Sequence, residues 1–262
     1  MRVRLTRFQW ALGSTVAASL LIVAFSQGTL RWVLLSVLFS LAGLYVGLGA
    51  CFPYLQVFGQ SLCEIRTRRK VVALTFDDGP EPLNTPRLLD LLASRGVRAT
   101  FFCVGQRVAR HPELARRIAA EGHLVENHSY LHSSWMNLFS VERLRADLTQ
   151  AQEEIARVTG RRPTFFRPPS FLTNPRVFRV VRELNLTVAA ARRLGLDRQP
   201  NSAERIAARV LRGVRPGGII LLHDGGVPAD RLLAVVTTII DKLQADGYEC
   251  LRLDELVSCE EK

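Results

Sequence analysis

Apolar residues are distributed along this chain in two ways. In the first seventy positions they form long, uninterrupted runs. Residues 8–26 (FQWALGSTVAASLLIVAFS) and 32–63 (WVLLSVLFSLAGLYVGLGACFPYLQVFGQSLC) carry no charge. A bilayer-crossing helix needs about 20 apolar residues, so the runs predict membrane spans over about 8–26 and 32–54. Trp10 and Trp32 stand near the ends of these runs, where amphipathic rings favour the membrane interface. From residue 71 onward the runs shorten and begin to alternate with amphipathic stretches. Short, nearly continuous apolar runs predict strands at 71–76, 98–103, 164–167, 187–191, 218–222 and 248–252. Between them, apolar residues recur every three or four positions. Val141, Leu144, Leu148, Ala151, Ile155 and Val158 share one helical face behind the N-cap candidate Ser140. Asn174-Pro175 opens a helix running to Leu184, Ser202 opens one over 202–212, and a fourth covers 230–246 and stops before Gly247.

Strands that are apolar on both faces and alternate with helices predict an α/β fold with a helix-covered parallel sheet. The pattern alone fits either an open sheet or a closed barrel. The expected organisation is a transmembrane region over 1–58, a polar linker over 59–70 (GQSLCEIRTRRK), and one globular domain over 71–262.

Charge sharpens the division. The net charge of the 262 residues is +11, and +7 of it lies within the first 70. Arg2, Arg4 and Arg7 precede the first run, and Arg66, Arg68, Arg69 and Lys70 follow the second. That placement suits anionic lipid headgroups. No basic stripe with interleaved aromatics follows, which argues against nucleic acid as a partner. The five cysteines include no C-x-x-C pair and read as reduced structural residues. Nothing in the pattern fixes an oligomeric state.

In parallel α/β folds, functional side chains gather at the carboxyl ends of the strands. Three polar groups fall at such ends: Asp77-Asp78 after VVALTF, Arg167 after TFF, and His223-Asp224 after GGIILL. Three of the five histidines lie within GHLVENHSYLH, residues 122–132. On a helical turn, the spacing of His128 and His132 would bring both imidazoles to one face, as a two-histidine metal clamp requires. A strand-end carboxylate would complete such a site, and a cation would offset the repulsion between Asp77 and Asp78. A plain Asp-Asp-Gly-Pro turn and two solvated histidines fit these residues as well. His111 reads as a helix-start residue, and His123 as part of a turn supporting the clamp.

Taken together, the motifs resemble the polysaccharide deacetylase (NodB homology) family, carbohydrate esterase family 4. TFDDGP (75–80) resembles its first motif, and NHSYLH (127–132) its H-[ST]-x-x-H metal motif. FRPPS (166–170) resembles R-x-P-Y, and LLH (221–223) the closing L-x-H. The resemblance spans about residues 70–257 with the motifs in order. It implies a distorted (β/α) barrel of about seven strands that hydrolyses an N-acyl group from an amino sugar. By position, Asp77 resembles the catalytic base, with Arg167 holding it. Asp78, His128 and His132 resemble the ligands of a divalent metal, usually Zn²⁺. His223 resembles the general acid, with Asp197 as its orienting partner. A backbone N–H near Ser170 resembles the oxyanion donor, and Leu221 part of the acyl pocket. Two departures fall where substrate is read: Ser170 replaces a tyrosine, and LGLDR (194–198) keeps Asp197 but has Leu194 and Arg198 where the family carries an acid and a tryptophan. Arg198 reads as solvated.

These features predict a multi-pass cell-membrane hydrolase that removes an N-acyl group, N-acetyl foremost, from a glycan. A deformylase or deacetylase of a lipid-linked amino sugar is one alternative, and a glycan-binding protein that has lost catalysis on the same fold is another. A twelve-residue linker spans at most about 40 Å at ~3.3 Å per residue, so the active site stays near the bilayer. Both flanks are arginine-rich and only Arg31 lies between the spans, which places the domain on the cytoplasmic side. Ala24-Phe25-Ser26 offers a small-x-small cleavage site that would place it outside. The side stays open.

Overall fold

Two apolar helices open the computed structural model, which describes residues 5–191, 193–199 and 201–261. Arg2 and Arg4 and the side chain of Leu194 lie outside the described residues. The first helix, α1 (Arg7–Phe25), is started by a capping box in which Thr6 and Gln9 satisfy each other's backbone N–H groups. It returns through α2 (Gly28–Cys51). Both are long and apolar enough to cross a membrane, and almost none of their surface is buried by the protein.

The chain then enters the sheet earlier than expected. Residues 59–70 are not a free tether. They contain strand β1 (Ser61–Leu62), which pairs in parallel with β6 (below) through Ser61–Val188 and Leu62–Ala189. The central strand β2 (Val71–Gly79) is buried along its whole length. Next come α3 (Asn84–Ser94), β3 (Thr100–Cys103), α4 (Gly105–Arg110), α5 (Pro112–Ala120) and β4 (Leu124–Asn127). The long amphipathic α6 (Val141–Thr159) is capped by Ser140 as expected. There follow β5 (Phe165–Phe166), α7 (Pro175–Glu183) capped by Asn174, β6 (Thr187–Ala189), β7 (Arg193–Leu194) and α8 (Ala203–Leu211) capped by Ser202. The chain closes with β8 (Gly218–His223), α9 (Ala229–Ala245), β9 (Glu249–Leu251) and α10 (Leu253–Val257).

The strands are joined in the order β1-β6-β5-β4-β3-β2-β8-β7, with β9 paired to the start of β2, and every pairing is parallel. The two strands at the ends of this path, β1 and β7, are two residues long and do not pair with each other. The six strands between them, together with β9, form the expected distorted, incompletely closed barrel of seven strands.

Strand alternation decides what faces inward. Val72, Leu74 and Phe76 of β2 face the helices and join Leu88, Leu92, Ile206, Val236 and Ile240 in the larger core. Val71 and Ala73 point the other way, into an inner cluster with Phe102, Leu124, Phe165, Ala189, Ile219 and Leu251. Leu253 and Leu256 of α10 join this cluster. Continuing along the same face, β2 presents Thr75 and then Asp77. The barrel is therefore apolar at its amino end and polar at its carboxyl rim. A third cluster joins Met136, Phe139, Leu148, Phe166, Val177 and Phe178 to Val57 and Phe58. Phe8, Tyr45 and Ala50 of the hairpin pack against it, so the hairpin base is built into the domain.

Candidate active site

Parallel registry places the rim residues beside one another. Asp77 pairs with His223 on β8, and Thr75 with Leu221, so Leu221 sits one inward step below His223. Strict alternation would send Asp78 to the opposite face from Asp77. The backbone prevents this: Asp78 has φ 73, and the β2–β3 register shifts between Asp77 and Gly79. A left-handed non-glycine residue costs on the order of 1–3 kcal/mol, and bulges of this kind re-aim side chains. Both carboxylates consequently reach one nitrogen: His128 Nε2 lies 3.3 Å from Asp78 Oδ1 and 3.9 Å from Asp77 Oδ2. The Arg107 guanidinium donates to the Asp78 carbonyl at 2.6 Å and holds the bulge.

The two histidines do not share a helical face, contrary to the expectation from their spacing. They lie in a loop after β4, with Ser129 and His132 at φ 64 and 51. Side-chain hydrogen bonds hold this loop in place of a helix. Asn127 Oδ1 accepts from Ser129 N–H at 2.8 Å, and Ser129 Oγ accepts from His132 N–H at 3.0 Å. The buried Asp147 carboxylate on α6 accepts from the N–H groups of Tyr130 and Leu131 at 3.1 and 3.0 Å. His132 Nε2 then stands 2.9 Å from Asp78 Oδ1.

Asp78, His128 and His132 each offer one ligand atom, and these lie within 4.8 Å of one another. Two imidazoles and a carboxylate suit a catalytic metal that keeps open positions. The chemistry of the donors fits as well. The Arg167 carbonyl can only accept, so His128 Nδ1, 2.7 Å away, carries the proton and leaves Nε2 free to ligate. Burial pushes the His128 pKa down from its ordinary range. Burial, and then the neighbouring His128, push His132 down to about 4. Burial thus favours the neutral form of both rings, the form that ligates.

Asp77 is held by a different device. Arg167 is fully buried, and its Nη1 donates to Asp77 Oδ1 at 2.7 Å and to Thr75 Oγ1 at 2.8 Å, while Nε donates to the Ala189 carbonyl at 3.2 Å. Its guanidinium stacks 4.0 Å from the Phe102 ring, with the Phe171 ring at 5.8 Å. Asp197 accepts from both the backbone N–H and Nδ1–H of His223, each at 2.8 Å, so it fixes that ring. Ser170 is exposed in a single helical turn (Pro169–Phe171) with φ 57.

Three expectations change. Arg198 is not free in solvent: it donates to Asp78 Oδ2. His123 does not support the clamp. It lies at the start of β4, where Nδ1 accepts from Ala99 N–H at 3.0 Å, and burial pushes it down to about 4. Asp147, Thr75 and Arg107 were not expected in the site's framework. Asp147 had a readable signal, because a carboxylate between Leu144 and Ala151 on an apolar helix face must find partners when buried.

The sequence model of the family described as polysaccharide deacetylase matches residues 64–189. A peptidoglycan-N-acetylglucosamine deacetylase of Bacillus cereus is 33% identical over 205 residues, which cover 78% of this chain and 95% of the relative. The chain belongs to the polysaccharide deacetylase family. The peptidoglycan-N-acetylglucosamine deacetylase of Listeria monocytogenes is 34% identical over 71% of this chain, but the match spans only 39% of that longer protein. Among solved structures, an acetyl xylan esterase of carbohydrate esterase family 4 from Clostridium thermocellum, bound to a cobalt ion, superposes with a TM-score of 0.67. It is 38% identical and covers 72% of this chain and 91% of its own. A family pseudoenzyme from Bacillus anthracis, mutated to restore activity, superposes with a TM-score of 0.71 at 27% identity, over 78% of this chain and 73% of its own. Polysaccharide deacetylases of this family are metal-dependent hydrolases, and this chain is an enzyme of that class.

Proposed function

We propose that this enzyme is anchored to the cell membrane by α1 and α2 and removes the N-acetyl group from an amino sugar of a glycan. The observation that carries the reading is the registry of Asp77 with His223 across adjacent strands, with the Asp78–His128–His132 cluster beside Asp77. Those three residues would hold a divalent cation, Zn²⁺ foremost. When bound, the cation supplies Lewis-acid polarisation of the acyl carbonyl.

The chain's own residues do the rest. Arg167 occupies Asp77 Oδ1, so Oδ2 is the oxygen that faces the cluster and takes a proton from the attacking water. The backbone N–H near Ser170 is assigned to the developing oxyanion. His223, with Nδ1 engaged by Asp197, presents Nε2 to protonate the departing amine, without which an amide nitrogen leaves poorly. Leu221, buried one inward step below His223, provides an apolar floor for the acyl methyl.

A lipid-linked amino sugar is the second substrate reading, and one contact favours it. Thr173, three residues past Ser170, donates its N–H to the Ala50 carbonyl at 3.0 Å and its Oγ1–H to the Gly49 carbonyl at 3.4 Å. The last turn of α2 is thus fastened to the loop beside the proposed oxyanion donor.

The test is a release assay on detergent-solubilised, Zn²⁺-loaded enzyme over peptidoglycan, chitooligosaccharides and lipid-linked amino sugars. Acetate release from a glycan supports the first reading, and release confined to lipid-linked sugars supports the second. No release from any of them, with metal bound, refutes both.

A further inference from the structure

Leu131, Trp135 and Leu138 stand exposed on the loop that carries His132 and runs on to α6, at 44%, 71% and 68% of their full accessibility. The turn Met136–Leu138 is a 3₁₀ turn, in which residues three apart eclipse. Met136 and Phe139 therefore share the inward edge, both nearly inaccessible, while Trp135 and Leu138 share the outward edge. The outward edge is fixed rather than loose. The Asn137 carbonyl accepts from Asn174 Nδ2 at 2.8 Å and from Arg176 Nη2 at 3.1 Å, and Arg143 stacks 3.7 Å from the Phe139 ring.

The position of this edge identifies its occupant. Met136 and Phe139 belong to the cluster on which Phe8, Tyr45 and Ala50 of the hairpin base pack. Asn174, which grips Asn137, directly follows Thr173, which grips Gly49 and Ala50. The exposed edge thus backs onto the same cluster that seats the base of α1 and α2. An exposed indole with exposed leucines on the same loop, and with Arg143 and Arg176 bound to the residues behind it, has the composition of a segment seated among lipid headgroups.

We infer that Trp135 and Leu138, with Leu131, form a third membrane contact that sits in the headgroup layer beside the hairpin. His132 is three residues from Trp135, so this contact sets the mouth of the metal cluster against the bilayer surface. The inference rests on reading α1 and α2 as a membrane hairpin, and the same experiment tests that reading separately.

The chain has three tryptophans, so W10F/W32F leaves Trp135 as sole reporter and W32F/W135F leaves Trp10. The full chain is reconstituted into phosphatidylcholine vesicles with and without acyl chains brominated near the headgroup. The expected result is that both Trp10 and Trp135 lose most of their emission in brominated vesicles, and that Trp135 emission shifts to the blue relative to the unfolded chain. Quenching of Trp10 with Trp135 unquenched and open to acrylamide overturns the inference while leaving the hairpin in the membrane. Trp135 quenched by added chitooligosaccharide but not by brominated lipid also overturns it, and assigns the patch to glycan. If neither tryptophan is quenched by lipid, the hairpin reading falls and the inference with it.

Discussion

Replacing Arg167 by methionine should destabilise the domain through Asp77, and the size of the effect follows from burial. Arg167 has no accessible surface and Asp77 almost none, and they meet at 2.7 Å. Burial pulls the arginine pKa down and the Asp77 carboxylate opposes that pull, as expected of a pair held together out of water. Removing one member of a buried pair leaves the other charge uncompensated, at about 3–5 kcal/mol. For a domain of this size each kcal/mol moves Tm by about 2–4 °C, so Arg167→Met should melt about 6–20 °C below wild type. Most of this cost belongs to the stranded carboxylate and not to lost packing, since methionine keeps the aliphatic stem against Phe102. Adding Asp77→Asn removes the stranded charge and should return several degrees. The assay is thermal unfolding of the full chain in detergent with a chelator present, so that no cation compensates Asp77. If the double variant melts no higher than Arg167→Met alone, the ion-pair account of Arg167 is wrong.

Asp77→Asn should keep the metal and lose about 10²–10⁴-fold in turnover, the usual share of a positioned base, whereas His128→Ala should lose the metal; elemental analysis beside an acetate-release assay separates the two. Asp197→Ala leaves the His223 ring without its partner and should lower kcat by about 10²-fold at the lower bound of such a loss, with Zn²⁺ content unchanged. Glu126 lies buried in β4, with Oε2 accepting from the N–H groups of Thr164 and Phe165 at 2.8 and 2.6 Å. Burial pushes its pKa from an ordinary 4.5 up to about 8. The folded chain therefore holds a proton that the unfolded chain has released, and this group's contribution to stability falls as pH rises from 4.5 through 8. Glu126→Gln should gain stability relative to wild type across that window, levelling above it at about 3–5 kcal/mol. Urea unfolding at several pH values checks this, and a gain independent of pH would contradict it.

Much of this architecture was legible because it follows from period and position. The apolar run 71–76 is a strand, Ser140, Asn174 and Ser202 are caps, and Asp77, Arg167 and His223 stand at strand ends. What was not legible depends on backbone geometry or on distant partners. β4 (LVEN) is masked in the sequence because Glu126 interrupts its apolar pattern, yet that glutamate is buried and bonded to the backbone entering β5. The spacing of His128 and His132 correctly joined them, but for the wrong local reason. Asn127 and Asp147 shape a loop there, and Asp147 is sixteen residues downstream of Leu131. Arg198 looked solvated because its partner, Asp78, is 120 residues away. The linker looked free because a two-residue strand carries too little pattern to show.

The adjacent acids illustrate why the roles proposed for Asp77 and Asp78 cannot be exchanged. A strand would turn them to opposite faces, and the left-handed backbone at Asp78 brings both to one. Their oxygens are then committed differently. Asp77 gives Oδ1 to a buried arginine on its own strand level and leaves Oδ2 toward the cluster, 3.9 Å from His128 Nε2. Asp78 turns Oδ1 toward Nε2 of both imidazoles and accepts from Arg198, a partly exposed arginine, at Oδ2. The Asp77 carboxylate is thus clamped and has one oxygen to spare, as a proton acceptor must. The Asp78 carboxylate has its inward oxygen on the ligand atoms of the two histidines, as a third ligand must. Swapping the side chains' environments would require moving Arg167, whose guanidinium is fixed by Thr75, Ala189 and Phe102 within the barrel. The division of labour proposed for the two acids therefore follows from the arginine that reaches each of them.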